Sequence, residues 1–573
     1  MRGYAPGKYR LWGREVTLLT LARASDGGIW AVYRPEEGEE ALLCPAAEWE
    51  RGTAPQREAP PPSPVGMGKH EVLKRYFGYD DFRDGQETLI DSILSGRDTL
   101  GVMPTGAGKS LCYQVPALML EGCAVVISPL ISLMKDQVAA LKQAGVSAAY
   151  LNSSLTARQM DLALDNAGAG KYRILYVAPE RLNTPRFLSL MEKQPPSLVA
   201  VDEAHCISQW GQDFRPGYLE IPDFIRRLPR RPYLCAFTAT ATQAVREDIV
   251  RLLELENPFV CVTGFDRPNL YFRVLEPARK DETLLRLAAE YAGKSGIVYC
   301  ATRKEVESVC EMLNGRGISA TRYHAGLSDQ ERRENQEAFA LDKCRVMVAT
   351  NAFGMGIDKS DVRFVIHYAM PGDLESYYQE AGRAGRDGEP AECTLLYSRR
   401  DIFTRRYFIQ HMGEEAELSP EQLRRVQATA RKRLEAMIDY CQETGCLRAS
   451  ILNYFGEEAP GRCGGCGNCA GEARDVTLTL TPEAARPARR KNAPALEPAD
   501  EELFEHLRAV RKEIALSRSV PAYVIFTDAT LRAMSVQKPE SLEELMDVPG
   551  VGLAKQKSYG KDFVRAIRTW KRR

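Results

Sequence analysis

Thr105-Gly106-Ala107-Gly108-Lys109-Ser110 follows the apolar run Thr99-Leu100-Gly101-Val102 and precedes the helix-like Leu111-Cys112-Tyr113-Gln114. A strand that ends in a glycine turn and restarts as a helix restricts this part of the chain to an α/β architecture built around a phosphate. The turn lets successive backbone N–H groups face the phosphate, Lys109 reaches the β and γ positions, and the Ser110 hydroxyl is offered to magnesium. The generic phosphate-loop pattern has glycine where this chain has Met103, so only the shorter Pro-Thr-Gly-x-Gly-Lys-Ser form fits.

Short apolar runs ending in small or polar residues recur from about residue 68: Cys123–Ser128, Ile174–Ala178, Leu198–Val201 and Tyr233–Phe237, then Gly296–Cys300, Arg345–Thr350 and Phe364–Tyr368. Such runs are expected of parallel strands covered on both faces. They predict two tandem α/β lobes, at 68–268 and 269–400. Asp202 and Glu203 lie at the end of one run, where an aspartate can hold magnesium and a glutamate can orient and deprotonate the attacking water. In the second lobe, Arg383 and Arg386 are three apart on one helical face, and guanidinium groups crossing a cleft stabilise charge on a γ phosphate. Arg386 is expected to be the finger and Arg383 its neighbour.

Residues 1–54 alternate in short runs broken by turns, as expected of a tiny β-barrel-like domain, and the Pro-rich 55–67 reads as a stiff linker. Residues 471–499 read as a second linker, and 500–573 as a mildly basic helical domain. The 77 basic residues balance the 77 acidic ones, so net charge does not announce a polyanion partner. With 44% hydrophobic and 27% charged residues, disorder throughout is excluded. The spread of 15 cysteines differs from the framework of a small secreted domain, and no stretch is apolar enough to cross a membrane, so the expected location is cytoplasmic.

Cys446, Cys463, Cys466 and Cys469 follow the pattern C-x16-C-x2-C-x2-C. Four soft thiolates suit a closed, structural Zn2+ site in a module at 401–470; a redox or iron–sulfur centre is the other reading of such a cluster. Arg424, Arg425, Arg431 and Arg433 precede it and could approach phosphates from a helix; a solvated helix face is the other reading for each.

Asp202-Glu203-Ala204-His205-Cys206-Ile207-Ser208-Gln209-Trp210-Gly211-Gln212-Asp213-Phe214-Arg215-Pro216 resembles the central loop of RecQ-family DNA helicases, and the resemblance runs almost continuously over 68–470. It implies two RecA-like lobes, a zinc module, and ATP with Mg2+ as the fuel. Trp210, Phe214 and Arg215 are then expected to touch single-stranded DNA by stacking and backbone contact. Tyr79, Arg83 and Gln86 would read adenine, beside a nucleotide held by Thr105, Gly106, Ala107, Gly108, Lys109 and Ser110. Ser128 and Arg181 would grip the DNA backbone, Thr350 and Asn351 would face DNA, and Asp358 would lie near the ribose. The resemblance also implies 3′ to 5′ movement, tailed or branched duplexes as substrates, single-stranded DNA-binding protein as a partner, and a nucleoid setting without membrane contact.

The chain departs from the family at Gln212, where histidine is common, and at Asp84, where proline is usual. Many members place a winged helix after the zinc module; here about 30 residues separate Cys469 from the terminal helices, too few for one. The terminal helices resemble an HRDC domain, whose Val548-Pro549-Gly550-Val551-Gly552 turn is suited to seat a phosphate. The opening Gly7-Lys8-Tyr9-Arg10 resembles a family of small β-barrel domains. An ATP-dependent 3′–5′ DNA helicase is the first reading; an ATP-driven RNA remodeler or translocase without strand separation, and a non-catalytic DNA scaffold, are the alternatives.

Overall fold

The computed structural model describes residues 66–208, 215–353, 359–412, 420–459, 461–474, 500–518, 520 and 522–571, together with the backbone of four strands near the N-terminus. The chain divides into two compact units, 1–63 and 64–573. In the first, β1 (Gly7–Leu11), β2 (Arg14–Arg23), β3 (Ile29–Pro35) and β4 (Leu42–Pro45) form an antiparallel meander in chain order. Each strand pairs with its sequence neighbour, and no ladder joins β1 to β4 among the described residues, so the expected barrel is here an open sheet. The expected 55–67 linker lies almost wholly outside the described residues.

The second unit holds two parallel sheets. The first contains β5 (Thr99–Val102), β6 (Ala124–Ile127), β7 (Ala148–Leu151), β8 (Ile174–Val177), β9 (Leu198–Val201), β10 (Tyr233–Thr238) and β11 (Phe259–Val262). Their spatial order is β11-β5-β10-β9-β6-β8-β7. The second contains β12 (Leu270–Leu275), β13 (Ser295–Tyr299), β14 (Ala320–Tyr323), β15 (Val346–Ala349), β16 (Val362–His367) and β17 (Ala391–Leu396), ordered β12-β17-β16-β13-β15-β14. Central strands such as β5, β6, β8 and β9 are buried at every position, which is why they read as continuous apolar runs instead of alternating ones. The sheets change over between Val262 and Leu270, at the expected boundary.

Packing tolerances are tightest in the second sheet. A Cβ on Gly296 of β13 would fall inside the ring of Phe364 on β16, and that ring stacks on Tyr291 at 4.5 Å between centroids. Glycine is required here by space.

Five helices close the chain, Glu501–Arg518, Ala522–Ile525, Asp528–Gln537, Leu542–Met546 and Leu553–Lys571, around their own apolar core. Between them and the second sheet stand Arg399–Gln410, Pro420–Gln442, Leu447–Tyr454 and the short turn of helix Gly467–Ala470. The expected 471–499 linker begins later than predicted. Glu472 accepts the Tyr271 hydroxyl at 2.6 Å, and Arg474 donates to the Cys441 carbonyl at 2.8 Å while its own carbonyl accepts Glu276 N–H at 2.8 Å. Those side chains bind residues 471–474 to the second lobe.

Gly296→Ala is expected to destabilise the second lobe by about 1–3 kcal/mol through overpacking against Phe364. Thermal unfolding followed beside the exposed-site control Leu162→Ala checks this, and equal midpoints would contradict it.

Candidate active site between two lobes

The phosphate loop leaves the carboxyl end of β5, where ligands of open α/β sheets collect. Gly108 has φ +83°, a left-handed conformation that turns the chain into the helix Lys109–Met119. Lys109 Nζ donates to the Met103 carbonyl at 3.2 Å; burial lowers its pKa, and the Glu203 and Asp202 carboxylates oppose that shift. Asp202 follows β9, and its carboxyl accepts the Glu203 N–H at 3.0 Å. Burial first, then the neighbouring Glu203, raises Asp202 to about 7, with Lys109 opposing. A pair of carboxylates, Asp202 buried and Glu203 half-buried, facing one lysine is short of positive charge, and its oxygens suit a divalent cation.

Glu203 has φ +48°, uncommon for a residue with a side chain, and its Oε2 lies 3.4 Å from His205 Nδ1. His205 Nδ1 also meets Thr238 Oγ1 at 2.8 Å, at the end of β10. His205 thereby stands between the Glu203 carboxylate and the end of β10.

Gln86 is buried. Its Nε2 donates to the Ala107 and Gly108 carbonyls at 3.0 and 3.1 Å, and its Oε1 accepts the Arg83 N–H at 2.9 Å. Arg83 Nη1 donates to the Gly106 carbonyl at 2.6 Å. The amide expected to read adenine therefore braces the phosphate loop in this arrangement, and reading a base requires it to exchange partners.

A cavity of 580 Å³ brings the expected residues together. Tyr79, Arg83, Gln86, Thr105, Gly106, Gly108, Lys109, Ser110, Asp202 and Glu203 line it from the first lobe, and Arg383 and Arg386 from the second. Ala107 does not line it, although its carbonyl is held by Gln86. Arg383 is buried and hydrogen-bonds Tyr299, whose hydroxyl donates to the Phe353 carbonyl at 3.0 Å.

Arg267, which the sequence reading did not single out, spans the lobes. Its Nη1 donates to the Thr105 carbonyl at 2.5 Å and the Gly382 carbonyl at 3.3 Å, and its Nη2 to the carbonyls of Ala384 and Gly385 at 3.1 and 2.8 Å. An arginine in a connecting segment carries no sequence signature that separates it from a surface residue. The terminal helices also reach the cavity through Val520, Tyr523, Val524, Thr527 and Lys555. The turn expected to seat a phosphate has another partner: Gly550 N–H donates to the Gly78 carbonyl at 2.7 Å, docking the terminal domain on the first lobe.

The expected DNA contacts divide. Trp210, Phe214 and Asp358 lie outside the described residues. Arg215 Nη1 donates to the Pro129 carbonyl at 3.1 Å, which brings the end of the aromatic loop onto the Ser128–Pro129 turn. Ser128 itself is fully buried at the end of β6 and offers no surface to a strand, contrary to expectation. Arg181 is half-buried in the turn after β8, while Asn351 is exposed. Thr350 is buried, its Oγ1 accepting the Ala352 N–H at 3.4 Å, so its side chain shapes the turn and presents no DNA-facing group.

The four cysteine sulfurs, Cys446, Cys463, Cys466 and Cys469, all lie within 4.8 Å of one another. Thiolates around a tetrahedral zinc stand about 3.8 Å apart, so the cluster fits the ion with little adjustment. Backbone N–H groups of Ala449, Gly465 and Cys469 donate to the sulfurs of Cys446, Cys463 and Cys466 at 3.4, 3.3 and 3.5 Å. Hydrogen bonds from Cys463 and from the backbone hold the Cys466 thiol down to about 4 against the effect of burial. The module clasps the interlobe segment: Arg448 donates to Asp266 Oδ1 and to the carbonyls of Arg267 and Leu270 at 2.5, 2.7 and 2.5 Å. Phe455 stacks on Phe265 at 4.5 Å, and Glu457 accepts the Phe265 N–H at 2.5 Å.

Two stacked RecA-like lobes with one cavity between their carboxylates and arginines define a nucleotide-driven motor of the helicase type. The chain matches the family models for the DEAD/DEAH box helicase over 83–248, the helicase conserved C-terminal domain over 279–388, RecQ zinc-binding over 399–470 and the HRDC domain over 500–567. It is 40% identical over 590 residues to the ATP-dependent DNA helicase RecQ of Bacillus subtilis (strain 168), covering 87% of this chain and 98% of the relative. It is 37% identical over 610 residues to the ATP-dependent DNA helicase RecQ of Pasteurella multocida (strain Pm70), covering 89% and 95%. Both alignments are longer than this chain yet leave part of it out, so the relatives carry stretches with no counterpart here. Among solved structures, the fold resembles the DEAD-box helicase Mss116 bound to ssRNA and UDP-BeF, with TM-score 0.51 and 16% identity over 68% of this chain and 90% of that one. This chain belongs to the RecQ family of ATP-dependent DNA helicases; it is an ATP-binding enzyme.

Cys466→Ser is expected to bind less than one equivalent of zinc and to loosen the clasp on the interlobe segment. Metal analysis of the purified protein checks the first effect and limited proteolysis near Phe265 the second; a full equivalent retained would contradict the ligand set.

Proposed function

We propose that the protein moves 3′ to 5′ along single-stranded DNA at the cost of ATP and separates tailed or branched duplexes during repair and recombination. The observation that carries this reading is the shared cavity, in which Lys109, Asp202 and Glu203 of one lobe face Arg383 and Arg386 of the other. Each lobe contributes half of the phosphate chemistry, so nucleotide binding favours a closed cleft and release of product an open one.

Glu203 takes the proton of the attacking water; its constrained backbone and its contact with His205 fix the carboxylate. Lys109 carries the β and γ phosphates, and Arg386 crosses the cleft to meet charge developing on the γ phosphate, with Arg383 beside it. Ser110 and Asp202 are the residues that would hold magnesium, which neutralises phosphate charge when bound. Tyr79, Arg83 and Gln86 border the adenine end. The path His205–Thr238 ties Glu203 to the first lobe, and Tyr299 ties Arg383 to the turn carrying Asn351. Those two wires suit alternating grips on a strand held by Trp210, Phe214, Arg215, Arg181 and Asn351. The 3′ to 5′ sense rests on family resemblance. None of the described cysteines is disulfide-bonded, which supports action in a reducing compartment, and family resemblance puts that action at the nucleoid.

Hydrolysis is expected to rise with single-stranded DNA, and a 3′-tailed duplex to be unwound in preference to 5′-tailed or blunt DNA. Glu203→Gln should keep ATP binding while hydrolysis falls about 10²–10⁴-fold. Steady-state hydrolysis and gel-resolved unwinding check both; hydrolysis indifferent to single-stranded DNA would contradict the reading.

A further inference from the structure

Ten large apolar side chains are exposed among the described residues, and four of them, Phe403, Tyr407, Phe408 and Met412, fall within one ten-residue stretch. Phe403 is 70% exposed and Tyr407 57% exposed. They belong to the helix Arg399–Gln410 and the turn after it, the first element beyond the second sheet. Isolated exposed apolar residues are ordinary; a cluster on one helix is not.

The helix is anchored by its other side. Lys280 Nζ pairs with Asp401 at 2.8 Å, Arg405 Nε donates to the Met370 carbonyl at 2.6 Å, and Ile409 is buried. Asp401 also closes a capping box with Ser398. The exposed rings thus stand on a rigid support. Positions 400, 403, 407 and 411 recur at three and four residues and share one face, which carries Arg400, Phe403, Tyr407 and His411. His411 lies against Tyr407 with ring centroids 4.0 Å apart, extending the aromatic surface by one ring.

The exposed charges of this helix have one sign. Arg399, Arg400 and Arg406 are exposed beside them, and none forms an ion pair among the described residues. The only acid of the helix, Asp401, is committed to Lys280. The neighbouring helix Pro420–Gln442, against which this one packs, is mixed, with exposed Arg424, Arg431 and Lys432 beside exposed Glu421, Glu435 and Asp439, so the arginines of Arg399–Gln410 itself carry the match to phosphates. Aromatic faces interleaved with arginines match nucleobases strung on phosphates.

We propose that this face takes the terminal base pair at the junction of single-stranded and duplex DNA, stacking on it as the motor draws one strand away. The proposal rests on the DNA-helicase reading above and assigns the splitting of base pairs to the start of the zinc module. Phe403 and Tyr407 replace the stacking that the parting base pair loses, while Arg399 and Arg406 meet the flanking phosphates.

The test compares the full-length wild type with Phe403→Ala/Tyr407→Ala and with Phe403→Trp/Tyr407→Trp. Hydrolysis is measured on oligo(dT) and unwinding on a 3′-tailed duplex carrying 5-bromodeoxyuridine at the junction. The alanine pair should hydrolyse ATP on oligo(dT) as the wild type does, unwind about tenfold more slowly and lose the photocrosslink that the wild type forms in the peptide spanning positions 403–407; the tryptophan pair should unwind normally. Normal unwinding by the alanine pair overturns the proposal, including the case in which the face binds another protein. An equal loss of hydrolysis on oligo(dT) also overturns it, because the residues would then serve strand binding or folding in general. A wild type that fails to respond to DNA would overturn the helicase reading instead.

Discussion

Arg267 holds the phosphate loop and the arginine segment of the second lobe with one guanidinium. Its donors reach the Thr105 carbonyl on one side and the Gly382, Ala384 and Gly385 carbonyls on the other. Burial lowers its pKa, yet a guanidinium stays charged in proteins, so the fork remains a full donor set. The zinc module grips the same segment through Arg448, Glu457 and Phe455. Cleft geometry, second-lobe arginines and zinc module therefore share one short stretch, Phe265–Leu270.

That arrangement explains why a structural metal belongs in a motor. The cysteine cluster is closed and has no place for substrate. Its effect is to stiffen the helix Leu447–Tyr454, which carries Arg448, against the interlobe segment. Phe272 of β12 forms an isolated bridge with Cys466, so the metal-binding turn is also joined to the edge of the second sheet. The terminal domain is joined to the same machinery from the opposite side of sequence, through Gly550 on Gly78 and Arg532 on Glu389 at 3.0 Å.

Much of this was legible in the chain because it depends on local pattern. Continuous apolar runs marked β6, β8 and β9, since strands buried on both faces need no alternation. Lys109, Asp202 and Glu203 stand where strand ends and helix starts put them, and cysteine spacing brought four sulfurs together; Arg383 and Arg386, expected on one helical face, lie instead in the turns after the helix Leu374–Ala381. What escaped depends on partners far away in sequence. Arg267 and Arg448 are ordinary letters until their carbonyl acceptors converge. Gln86 was given to adenine because its amide can bond a base, but the same amide satisfies the phosphate loop. The DNA contacts that the family resemblance implies for Ser128 and Thr350 are withdrawn by burial. The Gly550 turn offered free N–H groups in isolation and found the Gly78 carbonyl in the fold. β7, β11, β12, β14 and β17 carry no such marker, because half-buried or exposed positions interrupt each of them.

Arg267 couples the two halves of the nucleotide site. Hydrogen–deuterium exchange on nucleotide-free wild type and Arg267→Ala tests it directly, read at 103–109 in the first lobe and 382–386 in the second. Loss of one guanidinium should speed exchange in both segments together while β6 and β16 stay protected. Unchanged exchange in both segments, or a rise confined to one lobe, would contradict the coupling.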